Sequence, residues 1–142
     1  MPKSPTQMAL SRKSPDPVRA AARAAARVDD DSRRTAVAAA RAALEKKAEE
    51  VVVLDLRGVS GYTDFLVIGS GTSDRQIESI AESVEKELVA AGHRVIGSEG
   101  QRGGRWVLLD FGDVVVHVFH VEERSHYDLE GLWADAPRIE VE

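Results

Sequence analysis

The stretch RWVLLDFGDVVVHVFH, residues 105–120, is apolar and β-branched almost throughout, with one interruption at Phe111, Gly112 and Asp113. Such a run, divided by a turn signal, predicts two buried strands. Gly112 supplies the positive φ that a tight reversal needs. The stretch therefore predicts a β-hairpin. Side chains alternate across a strand, so Trp106, Leu108 and Asp110 share one face and Val107, Leu109 and Phe111 the other. One set must meet the helices; if that is the valine and leucine set, the other presents a tryptophan and a carboxylate outward. On the following strand His117 shares a face with Val115 and Phe119, and is expected as a core histidine with a satisfied hydrogen bond. His120, an odd number of residues away, falls on the opposite face, so the two imidazoles do not share a metal.

Working outward from the hairpin, residues 94–99 read as a further strand, joined to it by a glycine-rich turn at 100–104. Upstream lies the clearest helical pattern. Ser73 and Gln76 give a capping-box signature, Ile77, Ile80, Ala81, Val84 and Leu88 line one face, and Gly92 follows the end. Before it, residues 51–57 and 65–70 read as strands separated by a loop containing Gly61, Tyr62, Thr63 and Asp64. Val37, Ala40, Leu44 and Ala48 recur at helical spacing from Ser32 onward, and a short helix near residues 125–133 closes the chain.

The resulting order is α-β-β-α-β-β-β-α. The helix after the second strand makes a crossover, so the strands on either side of it run parallel. The last three strands are joined by short turns and run antiparallel. The fold class is α/β, a mixed five-stranded sheet packed with helices.

Charge is unevenly distributed. Residues 1–28 hold six basic side chains against Asp16 alone, whereas the remaining 114 residues carry a net −10 within a chain of net −5. We divide the chain into a basic N-terminal extension, residues 1–31, and a folded domain, residues 32–142. Residues 1–15 are rich in Pro, Ser and Lys and are expected to be disordered. Asp16-Pro17 starts a short alanine-rich helix carrying Arg19, Arg23 and Arg27, which Asp29, Asp30 and Asp31 are expected to end. Its Arg- and Ala-rich, acid-poor composition also suits a transit peptide, but its prolines and short length favour a plain extension and a cytoplasmic protein. The acidic domain is poorly suited to gripping nucleic acid by its phosphates and better suited to a basic protein partner.

The chain has no cysteine, which excludes disulfides and thiolate metal sites. No apolar run approaches the ~20 residues of a membrane span. Gly69-Ser70-Gly71-Thr72-Ser73 stands between a strand and a helix, a position from which backbone amides can hold a phosphate. It lacks both the full glycine spacing of a dinucleotide site and the lysine of a P-loop. Asp110 and Asp113 straddle a turn and do not form the closely spaced carboxylate pair of a metal-dependent nucleotidyltransferase. No nucleophile stands beside a local base. The residues point to a binding surface, with no catalytic residue, metal or cofactor expected. The final segment adds Tyr127, Leu129, Leu132 and Trp133 within about three turns, and large aromatics are the usual anchors of protein interfaces.

Three separated segments, YTDFLVIGSGTSDRQ (62–76), the hairpin, and SHYDLEGLWADAP (125–137), together resemble the ribosomal silencing factor (Iojap-like) family over residues 35–137. The resemblance implies a fold of nucleotidyltransferase-like outline that is not an enzyme. It implies binding to a basic protein of the large ribosomal subunit on its subunit-joining face. That would block association with the small subunit and repress translation in starvation. Carried onto this sequence, the partner surface comprises Trp106, Asp110, Asp113, Tyr127, Asp128, Leu132 and Trp133, with Tyr62, Thr63 and Asp64 as a supporting loop or dimer contact. A homodimer is expected in isolation, with a minor rRNA contact from the basic extension. A large-subunit assembly factor is the nearest alternative, and a nucleotidyltransferase-type enzyme a more distant one.

Overall fold

The computed structural model describes the backbone of residues 17–59, 61, 63–100 and 104–141, and side chains from residue 31 onward. The expected disorder of residues 1–15, most of the glycine-rich turn, and Tyr62 lie outside the described residues. The elements in chain order are α1 (Pro17–Glu45), β1 (Glu49–Asp55), β2 (Phe65–Gly71), α2 (Asp74–Ala90), β3 (Gly97–Glu99), β4 (Trp106–Asp110), β5 (Val114–His120), α3 (Val121–Tyr127), α4 (Leu129–Leu132) and β6 (Arg138–Ile139). They build a mixed α/β structure around a six-stranded sheet of order β3-β4-β5-β2-β1-β6.

The hairpin forms as expected. β4 and β5 pair antiparallel from Trp106 opposite Phe119 to Asp110 opposite Val115, and Gly112 turns with φ +91°. β5 and β2 are buried along their whole length, which is why both read as near-continuous apolar runs instead of alternating ones. β3 runs in the same direction as β2, as the crossover requires, but the two are not neighbours. The chain passes over β5 and β4 to reach the sheet edge, and β2 pairs parallel with β5 instead.

Four expectations are corrected. The first helix does not stop at Asp29–Asp31 but runs unbroken from Pro17 to Glu45. At Asp31 the carboxylate meets Arg34 one turn later, at 3.4 Å, and the main-chain carbonyl accepts the Thr35 hydroxyl; an aspartate paired in this way is compatible with a continuing helix. The buried stripe of that helix is also rotated. Ala36, Ala39, Ala40 and Ala43 face the core at helical spacing, whereas Leu44 is exposed. Alanines let α1 approach α2 closely enough for Ser83 Oγ to donate to the Ala42 carbonyl at 3.0 Å. Third, the C-terminal helix is broken in two at Asp128, whose φ of +41° takes the backbone into the left-handed region. Fourth, the sheet gains β6, a two-residue strand that pairs with Val53 and Leu54 at the β1 edge.

The two faces of the sheet carry different cores. On one, α1 and α2 cover Val53, Val67, Val107, Leu109, Val116 and Val118 with aliphatic and alanine side chains. On the other, Leu54, Leu66, Ile68, Val115 and Phe119 are partly roofed by Trp106, Leu108, Leu129 and Trp133. At the start of α2, Ser73 Oγ accepts from the Gln76 amide as an N-cap does. The reciprocal half of the capping box is absent: Gln76 Oε1 accepts instead from Thr72, and its Nε2 donates to the carbonyls of Lys46 and Lys47.

Candidate functional site

The second face of the sheet carries a cluster of aromatic side chains. Alternation places Trp106 of β4 beside His117 and Phe119 of β5, and α3 brings Tyr127 over them. The Trp106 ring stacks on Phe119 at 5.1 Å between centroids and meets Tyr127 at 4.4 Å. Trp106 Nε1 donates to His117 Nδ1 at 2.9 Å. That bond requires a lone pair on Nδ1, so a neutral His117 carries its proton on Nε2. His117 is 4% exposed, and burial lowers its pKa from 6.5 to about 4. The histidine is a neutral spacer that fixes the indole's orientation.

This cluster is only partly covered. Tyr127 is 45% exposed and Trp106 half-buried; further along the chain Leu132 is 68% exposed and Trp133 half-buried. A rim of charge surrounds it. Arg105 pairs with Glu122 and Glu123 at 3.2 Å each, and Glu130 pairs with Arg124 at 2.9 Å. Asp128 is exposed, but its carboxylate is engaged locally, where Oδ1 accepts from the Gly131 amide at 3.1 Å and caps α4.

The residues singled out from the sequence separate into two groups. Trp106 and Tyr127 meet in the ring cluster, Trp133 packs on the same face of the sheet, and Asp128 and Leu132 lie between Tyr127 and Trp133 in the chain. Asp110, Asp113, Thr63 and Asp64 gather at the hairpin turn, four residues further along β4, or about 13 Å at strand spacing. Asp110 Oδ1 accepts from the Gly112 amide at 2.8 Å. The Asp113 carbonyl accepts from the amides of Asp64 and Phe65. Thr63 Oγ1 donates to the Gly112 carbonyl at 3.0 Å, and both Thr63 and Asp64 are buried. These contacts brace the turn against the start of β2. Sequence reasoning misses Arg124, which is 7% exposed and whose guanidinium donates to Ser70 Oγ at 2.8 Å and to the Glu49 carbonyl at 3.3 Å. An arginine on a short polar helix reads as surface, and its partners lie 54 and 75 residues away.

Three amides of the glycine-bearing turn after β2 and the start of α2 have internal acceptors. The Thr72 amide is 2.7 Å from Gln76 Oε1, the Gln76 amide is 3.1 Å from Ser73 Oγ, and the Ile77 amide is bonded to the Ser73 carbonyl. A Cβ on Gly71 would stand 3.1 Å from the Ile77 side chain, so close strand-to-helix packing accounts for that glycine. His120 Nδ1 accepts from the Glu122 amide and caps α3. Among the described residues no group of three or more His, Asp or Glu side chains is placed to hold a metal ion, and no helix is long and apolar enough to cross a membrane.

Residues 29–142 match the family model described as ribosomal silencing factor during starvation. The chain belongs to this family. It is 47% identical over 94 residues to the ribosomal silencing factor RsfS of Halalkalibacterium halodurans, covering 66% of this chain and 80% of that one. The Bacillus subtilis RsfS is 45% identical over a stretch of the same length and the same coverage. A crystal structure of a Chromobacterium violaceum protein superposes with a TM-score of 0.70 at 36% identity, covering 72% of this chain and 85% of that one. The family and its fold, foreseen from the three motifs, are thereby established.

Proposed function

We propose that this silencing factor docks its aromatic face on a basic protein of the large ribosomal subunit, at the surface where the small subunit joins. The bound domain then blocks joining sterically and lowers translation under starvation. The observation that carries this reading is the half-open ring cluster of Trp106, Phe119 and Tyr127, together with the exposed Leu132 on the next helix, α4. Rigid aromatics presented at low entropic cost are what an interface anchor requires. The acidic balance of residues 29–142 suits a basic partner, because complementary charge speeds encounter and excludes wrong partners. Such a wedge needs no catalytic step.

The finer assignments follow the same reading. Trp106, Tyr127, Asp128, Leu132 and Trp133 form the docking face, while Asp110 and Asp113 extend it along the hairpin. Thr63 and Asp64 support it from below. In isolation the exposed apolar edge is covered by a second copy of the chain. The basic extension adds a salt-sensitive contact to ribosomal RNA, and the protein works in the cytoplasm, where subunits join.

Pelleting purified large subunits with the full chain tests this. The wild-type chain pellets with the large subunit and not with the small one, and Tyr127→Ala with Leu132→Ala releases it. Equal pelleting of wild type and double variant would remove the aromatic face from the interaction.

A further inference from the structure

Helix α1 is longer than the sheet it covers. Its 29 residues span about 43 Å, against about 23 Å for a seven-residue strand such as β2. The half from Ser32 onward packs on the sheet and buries Ser32, Thr35, Ala36, Ala39 and Ala43. Asp31 and Ser32 stand beside Asp113 and Val114 in a small crevice at the hairpin turn, which is one end of the sheet. Residues 17–30 therefore carry the helix on past that end. This arm needs no nucleus of its own, because it prolongs a helix already held by packing, and its alanines favour propagation.

The arginines of α1 follow one line. At 3.6 residues per turn, positions 19, 23, 27, 34 and 41, all arginine, fall within an arc of about 80°. The arc lies roughly opposite the buried stripe of Ala36, Ala39 and Ala43, so it points away from the sheet. Arg34 and Arg41 are exposed, as this requires. From Arg19 to Arg41 the ridge runs about 33 Å. Asp30, Val37 and Glu45 share the arc. Asp31, at its edge, pairs with Arg34, but both side chains are at least three-quarters exposed, and so open an ion pair is weak enough to give way to another anion. The ridge is thus a row of positive charge on an otherwise acidic domain.

The composition of the arm narrows the occupant. Between Val18 and Val28 every residue other than the three arginines is alanine. A helix that enters a bilayer interface or a protein groove needs large apolar anchors, and a site for single-stranded RNA needs aromatic platforms. The arm offers charge alone, in a straight and stiff row. We propose that the arginine ridge of α1 binds the phosphate backbone of double-stranded RNA, which is recognised by shape and backbone more than by sequence and whose phosphates suit the guanidinium fork. The proposal rests on the ribosomal reading above and deepens its RNA contact. It transfers that contact from a loose tail to one face of a helix, and it adds Arg34 and Arg41 of the folded domain. The site then lies on the side of the sheet away from Trp106 and Tyr127, so the domain holds protein on one side and RNA on the other.

The test is the fluorescence anisotropy of a labelled RNA duplex, longer than the ridge and of arbitrary sequence, titrated with the full chain at several salt concentrations. Binding is expected, with log affinity falling linearly in log salt. Arg34→Gln with Arg41→Gln, on the packed half of the helix, should lower that slope by about 1 to 2, and Arg19→Gln, Arg23→Gln and Arg27→Gln together by about 2 to 3. A rotated variant keeps composition and charge: Arg19→Ala with Ala21→Arg, and Arg23→Ala with Ala25→Arg. It should lose about 1 to 2 of the slope at unchanged helicity by circular dichroism, whereas a tail acting by charge alone would bind as the wild type does. No duplex binding, an unchanged slope in the Arg34, Arg41 pair or in the rotated variant, or tighter binding to anionic phospholipid vesicles than to the duplex overturns the ridge. Pelleting with large subunits separates it from the reading it rests on. If the wild type pellets but the duplex experiment fails, the ridge is wrong and the ribosomal reading survives. If the duplex experiment succeeds but the wild type does not pellet, the ribosomal source is wrong and the ridge survives.

Discussion

The two faces of this sheet are built from the same alternating strands and finished in different ways. Under α1 and α2, Ala36, Ala39, Ala40, Ile77, Ile80 and Val84 close over valines and leave little of the core in contact with water. On the other face two short helices, α3 and α4, cover an aromatic surface only in part, leaving Tyr127 and Leu132 exposed and Trp106 half-buried. The first face has the character of a finished interior. The second is aromatic and partly exposed, the composition that interface cores favour. Stability should therefore reside on one side of the sheet and recognition on the other.

The strongest way to break this division is to open the closed face. Ile80 is fully buried, and Ile80→Ala should cost about 2 to 5 kcal/mol by lost burial and a residual cavity. Urea unfolding measures it; subunit binding per folded molecule should not change. Leu132→Ala on the other face should stay within about 0.5 kcal/mol by the same measurement.

Acid is the next probe, because it acts on the open face through His117. The folded pKa, lowered to about 4 by burial, lies below the 6.5 of an unfolded histidine, so the unfolded chain binds the proton more readily. The stabilisation is complete above about pH 6.5, falls as pH drops toward about 4, and is then exhausted, with at most about 3 kcal/mol at stake. Denaturation across that window in wild type and His117→Gln should show the extra slope in the wild type alone.

Recognition should respond to smaller changes. Tyr127→Ala should weaken large-subunit binding at least about tenfold, or about 1.4 kcal/mol, while moving the melting temperature little. Titration with labelled protein reads the first and a thermal melt the second. Trp106→Phe keeps a ring but removes the bond to His117, and should cost about 1 kcal/mol of stability. If Trp106→Phe were more damaging than Ile80→Ala, the aromatic face would be the main structural core and the division would fail.

Much of this contrast was legible in the sequence. Period-two alternation assigned Val107 and Leu109 to one face and Trp106 and Leu108 to the other, as found. The pairing of His117 with a hydrogen-bond partner was also foreseeable, because an imidazole within a run of valines must be satisfied. The extent of α1 was hidden by its three aspartates, which resemble a stop although aspartate is only mildly disfavoured inside a helix. Its packing stripe was hidden because alanine offers little hydropathy contrast. β6 consists of two residues after Pro137, too short for any period to register. The role of Arg124 depends on partners that only the folded chain brings together.

The most direct test of the central claim is subunit joining itself. Purified small and large subunits mixed at associating magnesium should give a reduced joined peak in a sucrose gradient when the full chain is present. The Tyr127→Ala, Leu132→Ala double variant, equally folded, should restore that peak. An undiminished peak with wild type, or a double variant that still blocks joining, would contradict the assignment of silencing to the aromatic face.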